Sequence, residues 1–150
     1  GELDPGVILY LLQSEGMDAK QIETLLYKES GLKGLSGISN DMRTLEQSDA
    51  PEAKEAIDYF VYRLKRELGA MAAAVGGLDG LVFTGGIGEH SELIRRRVCA
   101  DLGFLGVAID AAKNAEHGPD IAAAGASCRV MVVPTNEEAM IARETAALLD

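Results

Sequence analysis

Residues 81–90 read LVFTGGIGEH, an apolar run that ends in glycines and leads directly into an amphipathic segment at 91–102. This pattern predicts a strand, a glycine turn and a helix. Gly85, Gly86 and Gly88 have no Cβ, so the backbone there is free to adopt positive φ and to lie close to a ligand. The first N–H groups of the following helix would face the turn and favour a phosphate or a ribose. A tight turn without any ligand explains the same pattern.

The glycine pattern matches neither of two common phosphate-binding motifs. No Gly-Lys-Ser/Thr follows, so it is not a P-loop, and Ser91 stands where a GxGxxG motif would place its last glycine. The local sequence therefore leaves a nucleotide site and a plain strand-to-helix turn as alternatives.

Composition and charge exclude several classes of function. The 150 residues suit one domain with a sizeable core, and their formal net charge is −10. Nucleic acids and anionic membranes bind through clustered Lys and Arg, so neither is an expected partner. No apolar run approaches the ~20 residues of a membrane span. Cys99 and Cys128 are isolated and lack metal-ligand spacing, which predicts reduced, buried thiols and a cytoplasmic protein.

Helix start and stop signals organise the first third of the chain. Asp4-Pro5 begins a helix whose apolar stretch at 7–12 predicts burial on more than one side. Asp18 and Gln21 have the capping-box spacing of a second helix. The Gly/Ser-rich segment at 32–40 predicts a loop that leads to Asp41, Met42 and Arg43.

The longest predicted helix begins at Pro51 and runs to about Val75, where Gly76-Gly77 stops it. Apolar residues recur along it at spacings of three and four, which predicts one buried stripe. The stripe consists of Ile57, Phe60, Val61, Leu64, Leu68, Met71, Ala72 and Val75.

A second strand is predicted at 130–133, where β-branched residues without polar alternation indicate cover on both faces. Pro134 ends it, and Thr135 and Glu138 have the spacing of a capping box for a last helix. That helix is expected to make further apolar contacts through Met140, Ile141, Ala146 and Leu149. Strands that alternate with helices indicate an α/β architecture. Two strands rarely stand alone, so we expect partner strands upstream or from a second subunit.

Few residues suggest chemistry on local grounds. Glu137 follows the end of a buried strand, where its carboxylate would hold Mg²⁺ or would simply favour the helix dipole. Arg43, beside Asp41, is either a nucleotide contact or an exposed arginine at a helix start. The consecutive arginines at 95–97 spread around their helix, and we assign them no role. No catalytic base or nucleophile is nominated.

Four motifs together resemble the acetate kinase family, which includes propionate and butyrate kinases and belongs to the acetate and sugar kinase, Hsp70 and actin superfamily. They are GISNDMR at 37–43, YRLKRELGAMAAAVGGLD at 62–79, FTGGIGEHSELIRRR at 83–97 and VVPTNEEAMIARET at 132–145. The resemblance runs over nearly the whole chain but covers only the C-terminal part of the family. It implies the C-terminal part of an actin-like, ribonuclease H-like ATPase domain, helix-rich with a small, incomplete mixed sheet. Residues 1–150 would be one nucleotide-binding fragment of a longer two-domain kinase.

The resemblance also implies which residues bind ligands. The adenosine-side wall of an ATP site would consist of Gly86, Ile87, Gly88, Glu89 and His90. Asp41, Met42 and Arg43 would contact the nucleotide from the other side. Glu137 matches the first Glu of the family's Thr-Asn-Glu-Glu motif, a Mg²⁺ ligand. His90 departs from a common Asn, and Met42 from a common Phe.

The implied reaction converts ATP and acetate into ADP and acetyl phosphate, with Mg²⁺, in a homodimer. The short-chain carboxylate and the transferring phosphoryl group would be bound mainly by Arg, His and Asp side chains of the missing upstream part, so the chain alone is expected to be inactive. Carboxylate phosphorylation needs positioning and positive charge rather than a strong base, because the acceptor is already an anion. Two alternatives are another carboxylate kinase, such as a propionate or butyrate kinase, and a non-catalytic actin-like binding or dimerisation module.

Overall fold

The structure is a computed structural model that describes residues 3–148. The chain divides into two compact units, the first ending at Phe60 and the second beginning at Val61. The helices and strands, in chain order, are α1 (Pro5–Gln13), α2 (Ala19–Thr24), α3 (Gly31–Ser36), α4 (Met42–Glu46), α5 (Pro51–Val75), β1 (Gly80–Phe83), α6 (Gly85–His90), α7 (Glu92–Cys99), α8 (Ala111–Ala115), β2 (Arg129–Val132) and α9 (Glu137–Ala147). A π-helical turn at Leu25–Glu29 continues α2, and a 3₁₀ turn lies at Gly103–Leu105.

Side-chain caps begin α1 and α2, as the sequence predicted. The Asp4 carboxylate accepts a 2.7 Å hydrogen bond from the Gly6 amide at the start of α1. Asp18 and Gln21 form both bonds of a capping box, each 2.8 Å long, at the start of α2. Each cap satisfies amides that the first turn of a helix leaves without a partner.

The loop predicted at 32–40 is wrong over its first half, because α3 occupies Gly31–Ser36. Gly37 ends this helix in the left-handed conformation, with φ of 66°, and its amide donates to the Lys33 carbonyl. A glycine at this position is a frequent helix terminator. The glycines and serines therefore mark the end of a short helix rather than a continuous loop.

The burial predicted for α1 is also wrong: none of its residues is buried, and Leu9 and Tyr10 are 53% and 55% exposed. Within its own unit α1 packs against α2, and a single neighbouring helix covers only one side. An apolar sequence indicates that a helix favours burial, but it does not show whether other elements are present to cover that helix.

Helix α5 has the bounds that the sequence predicted, and Gly76 and Gly77, both with positive φ, follow its end. Of the predicted stripe, Ile57, Val61 and Ala72 are buried, whereas Met71 and Val75 are 60% and 76% exposed. The prediction is therefore wrong for the last turns. Periodic spacing identifies a face of a helix, but not how far along it the neighbouring elements extend.

The sheet consists of β1 and β2, which pair in parallel with Leu81 opposite Val130 and Phe83 opposite Val132. Isolated antiparallel bridges join Ile109 to Ala122 and Asp120 to Met131, which gives the small sheet region its mixed character. Helix-rich α/β architecture with a small sheet is confirmed.

One face of the sheet is covered. Val130 and Val132 are buried, but Val82 and Val133 are 48% and 46% exposed. The expectation of cover on both faces of the second strand is therefore wrong for the part of the chain that the structure describes. The second unit also buries the apolar residues Ile94, Val98, Cys99, Leu102, Val107, Ile121 and Cys128.

Both cysteines are buried and free, as predicted. Burial raises the pKa of Cys99 to about 12, and it also raises the pKa of Cys128. Neither thiol therefore has the low pKa of a reactive cysteine. As for membranes, the described helices include none with the length and apolar character needed to cross one.

Candidate nucleotide and metal site

Two turns leave the same edge of the sheet, which we call the strand-end edge. The last residues of β1 and β2, Phe83 and Val132, are paired, and the Val133 amide donates a 2.9 Å hydrogen bond to the Phe83 carbonyl. Helix α6 follows β1, and α9 follows β2. In parallel sheets the carboxyl ends of the strands are where ligand crevices form. The fold thus brings the predicted residues 86–90 and Glu137 to one edge.

The glycine segment is a short helix rather than an open turn, which corrects the prediction. Only Gly85 has a positive φ, 70°, whereas Gly86 and Gly88 lie inside α6. A Cβ at Gly88 would lie 3.2 Å from the Phe83 carbonyl carbon, but a Cβ at Gly86 would meet no atom within 4 Å. Gly88 therefore permits close packing on β1, and exposed Gly86 faces open space.

The Glu89 carboxylate ties the two turns together. Its Oε1 atom accepts hydrogen bonds from the Gly85 amide at 2.8 Å, the Thr135 amide at 2.9 Å and the Thr135 hydroxyl at 3.0 Å. The bonds from Thr135, followed by the one from Gly85, lower the pKa of Glu89, because they stabilise its charged form.

These contacts change how the turn can act on a ligand. The sequence suggested unpaired amides pointing at the turn, but the Gly85 amide is bonded to Glu89, and the Ser91 hydroxyl accepts from the Ile94 amide at 3.0 Å to cap α7. Two of the amides expected to face a phosphate, those of Gly85 and Ile94, are therefore already used. What α6 offers instead is an exposed surface at Gly86.

Thr135 does not form the predicted capping box with Glu138. The N-cap of α9 is Asn136, whose side chain accepts a 2.9 Å bond from the Ala139 amide. Asn and Thr are both good N-caps, and here Thr135 is held by Glu89, so the helix starts one residue later. The expected apolar contacts of α9 are wrong for Met140 and Ile141, which are 54% and 66% exposed, and for Ala146, which is also exposed. Leu149 lies outside the described residues.

Arg95 is the main residue that sequence reasoning missed. Its side chain is fully buried, and its guanidinium donates to the Gly88 and Glu89 carbonyls at 2.9 and 2.8 Å, to the Asn114 side chain at 2.7 Å and to the Asn114 carbonyl at 2.8 Å. The guanidinium therefore satisfies the last carbonyls of α6 and joins them to α8. Burial lowers the pKa of Arg95.

A signal for this burial was present in the sequence. Arg95 precedes Val98, Cys99 and Leu102 by three, four and seven residues, so it lies on the apolar face of α7. Arg96, next to it, has 57% of its side chain exposed. The three consecutive arginines are thus not equivalent, and periodicity distinguishes the buried one.

Glu137 is the first residue of α9 and is exposed. Within residues 3–148 its carboxylate takes part in no hydrogen bond or ion pair. It is not needed to cap the helix, because the Asn136 side chain does so. The same residues contain no group of three His, Cys, Asp or Glu side chains arranged to hold a metal. One exposed, unpaired carboxylate does fit Mg²⁺, which commonly takes one or two carboxylates together with water and phosphate oxygens.

The remaining predicted contacts lie in the first unit, at a helix start rather than in a loop. Asp41 is the N-cap of α4, and its carboxylate accepts from the Arg43 amide at 2.9 Å and from the Arg43 guanidinium at 2.6 Å. The Arg43 side chain is 82% exposed, whereas Met42 is buried. The side-chain hydrogen bond from Arg43 is the largest cause that lowers the pKa of Asp41.

Ile87 and His90 complete the predicted set. Ile87 is half-buried in α6, and His90 is its exposed last residue. The second unit thus brings together all five predicted residues of α6 and Glu137.

Sequence and structure comparisons extend these observations. The model of the acetokinase family matches residues 1–143. Acetate kinases from Rhodopseudomonas palustris and Methylocella silvestris are 57% and 53% identical to the chain over its full length, which corresponds to 38% and 37% of theirs.

Solved structures of acetate and propionate kinases also resemble the chain. The acetate kinase of Porphyromonas gingivalis matches with a TM-score of 0.86 and 41% identity, over 100% of this chain and 39% of that one. A propionate kinase from Francisella tularensis matches with a TM-score of 0.84 and 37% identity, over 96% of this chain and 38% of that one. The chain therefore spans less than two fifths of the length of these relatives. On the family match and these identities, the chain belongs to the acetokinase family.

Proposed function

We propose that this chain is the ATP/ADP- and Mg²⁺-binding part of an acetate kinase-like phosphotransferase, which converts ATP and acetate into ADP and acetyl phosphate. The observation that carries the proposal is the strand-end edge, where the exposed glycine surface of α6 and the unpaired Glu137 carboxylate follow two paired strands. This is the place where α/β folds bind nucleotides.

The roles of the residues follow from their surroundings. Residues 86–90 form the wall for the adenosine side, to which Glu89 contributes its main chain, because its carboxylate is bonded to Gly85 and Thr135. Gly86 admits a flat group because no side chain covers it. Asp41, Met42 and Arg43 are proposed as further nucleotide contacts. Glu137 would hold Mg²⁺, which when bound neutralises charge on the phosphates.

The remaining parts of the reaction are assigned to a longer chain. The described residues contain no cluster of positive side chains at the strand-end edge for a transferring phosphoryl group, since Arg95 is buried against α6 and α8. We propose that upstream residues bind the short-chain carboxylate, that the full-length enzyme is a cytoplasmic homodimer, and that these 150 residues alone make no acetyl phosphate. Acyl phosphate formation by the chain alone would contradict this assignment.

Calorimetric titration of the 150-residue chain with ADP and Mg²⁺ tests the nucleotide site, with circular dichroism to verify the fold. We expect weak binding by the unchanged chain and at least about tenfold weaker binding by Gly86→Ala, because a methyl group would occupy the adenosine surface. Gly69→Ala is the matched control. Gly69 also lies within a helix, α5, and a Cβ there meets no atom within 4 Å, so ADP binding should be unchanged.

Two results would favour other functions. A folded chain that binds no ADP would favour the non-catalytic binding or dimerisation module. The match to a solved propionate kinase makes a longer acid the second candidate substrate. Comparing kcat/KM of the full-length enzyme for acetate, propionate and butyrate separates these acids.

A further inference from the structure

We propose that Glu89 is a positioning residue that holds the segment 135–137, and with it the metal ligand Glu137, against α6. This inference rests on the proposed function for the role of Glu137. It gives Glu89 a task different from direct contact with adenosine, because Oε1 of its carboxylate already accepts three hydrogen bonds within the protein.

The geometry at Glu89 supports this task. One carboxylate oxygen accepts three hydrogen bonds of 2.8 to 3.0 Å, and two of the donors belong to Thr135, which is 46 residues away in sequence. Hydrogen bonds to a charged acceptor are shorter and stronger than those between neutral groups. With three donors in place, this oxygen has no remaining site for a nucleotide hydroxyl.

The Glu89 backbone is itself held. Its carbonyl accepts a 2.8 Å bond from the fully buried Arg95, so the residue has a fixed position from which its side chain reaches the other turn. Anchoring through both main chain and side chain is what a positioning residue requires.

The position of Thr135 determines where α9 begins. Asn136 caps the helix and Glu137 is its first residue, so a fixed Thr135 fixes the Cα of Glu137 two residues later. Within residues 3–148 the Glu137 side chain makes no hydrogen bond or ion pair that would hold it. Loss of the Glu89 bonds would therefore leave the metal ligand on a mobile segment while α6 keeps its own bonds to Arg95.

A double-mutant cycle in the full-length enzyme tests the inference with Glu89→Ala, Glu137→Ala and both changes together. The readouts are the Mg²⁺ concentration for half-maximal activity, the KM for ATP, and amide hydrogen exchange in the metal-free protein over residues 133–138. We expect Glu89→Ala to speed exchange in that segment and to raise the Mg²⁺ requirement about tenfold, the lower end of the effect of losing a group that orients a ligand. The KM for ATP at saturating Mg²⁺ should change by less than about twofold.

In the Glu137→Ala background, Glu89→Ala should have no further effect on the Mg²⁺ requirement, since the ligand it positions is gone. Glu89→Gln should restore slow exchange, because an amide oxygen accepts the same three bonds. Glu138→Ala, an exposed acid next to Glu137, is the control and should change neither quantity. Should Glu89→Ala fail to fold, Thr135→Val removes one of the three donors and should act in the same direction, with rescue by Thr135→Ser.

Unchanged exchange at 133–138 in Glu89→Ala, or fully additive effects in the double variant, would overturn the inference. A higher KM for ATP without a change in the Mg²⁺ requirement would also overturn it, in favour of direct contact with the nucleotide. Failure of the proposed function gives a different pattern. Glu137→Ala would then leave the Mg²⁺ requirement unchanged, although Glu89→Ala would still speed exchange.

Discussion

The turns that follow β1 and β2 start side by side, but the first is fixed by hydrogen bonds and the second is exposed. After β1, α6 is fixed at both ends, with the Gly85 amide bonded to Glu89 and the Gly88 and Glu89 carbonyls bonded to buried Arg95. After β2, residues 133–138 are exposed, and within the described chain the Glu137 carboxylate has no partner.

The difference corresponds to the two tasks proposed for these turns, a wall for the nucleotide and a ligand for Mg²⁺. A wall for a flat nucleotide works best when its backbone is rigid before the ligand arrives, because no ordering cost is then incurred on binding. A ligand of Mg²⁺ must exchange between water and phosphate oxygens, and an exposed carboxylate permits that. The hydrogen bonds that Thr135 donates to Glu89 link the two turns and let the rigid one position the exposed one.

The largest expected effect comes from breaking the fixed turn at Arg95. Arg95→Met keeps much of the side-chain volume but removes the donor to the Gly88 carbonyl and to the side chain and carbonyl of Asn114, whereas the Glu89 carbonyl keeps its 3.1 Å contact with His117. Each unsatisfied buried group costs about 1–3 kcal/mol, so the free energy of unfolding should fall by ~3 kcal/mol or more. Urea denaturation followed by circular dichroism measures the change.

Arg96→Met is the matched control for this prediction. Arg96 is largely exposed and makes only a 3.8 Å contact with Glu92, so its loss should change stability by less than about 0.5 kcal/mol. Equal effects of the two substitutions would mean that burial of the guanidinium does not stabilise the fixed turn.

Features with a local cause could be predicted from the sequence. The caps at Asp4 and Asp18, the bounds of α5 and the existence of both strands follow from residues within a few positions of each other. Ser91, the N-cap of α7, is a cap of the same kind. For these features the chemistry of neighbouring residues determines where a helix begins or ends.

Features that join distant residues could not be predicted. Whether Thr135 caps its own helix or bonds Glu89 depends on a carboxylate 46 positions away, and both choices satisfy the local rules. The same limit applies to α1, whose apolar residues are exposed although the sequence favours burial. Arg95 is the intermediate case, since periodicity indicates its buried face but not the carbonyls it bonds.

A smaller effect should appear in the pH dependence of stability, because the fixed turn rests on α7 and the buried Cys99. The thiol has a pKa of 9.0 when unperturbed and about 12 in the folded protein. Above pH 9 the unfolded chain therefore loses this proton while the folded protein keeps it, and stability falls as pH rises toward 12. The contribution is at most ~1.4 kcal/mol per pH unit and is fully retained below pH 9.

Cys99→Val isolates this contribution, since valine fills a similar volume and does not ionise. Free energies of unfolding measured at pH 8, 9, 10 and 11 should fall less steeply above pH 9 in the variant than in the unchanged protein. Parallel curves would show that the Cys99 thiol is not held neutral by burial.

The smallest expected effect is a difference in stability between alanine substitutions at Gly88 and Gly86 of α6. Gly88→Ala places a methyl group 3.2 Å from the Phe83 carbonyl carbon, so α6 must shift away from β1, whereas Gly86→Ala meets nothing within 4 Å. Overpacking costs about 1–3 kcal/mol, and the helix propensity of alanine returns up to ~1 kcal/mol, so Gly88→Ala should lose about 1 kcal/mol. Gly86→Ala should be neutral or gain up to ~1 kcal/mol, because its backbone is already helical. If thermal unfolding finds the two variants equally stable, α6 is not packed tightly on β1, and the contrast between a fixed and an exposed turn fails at its closest contact.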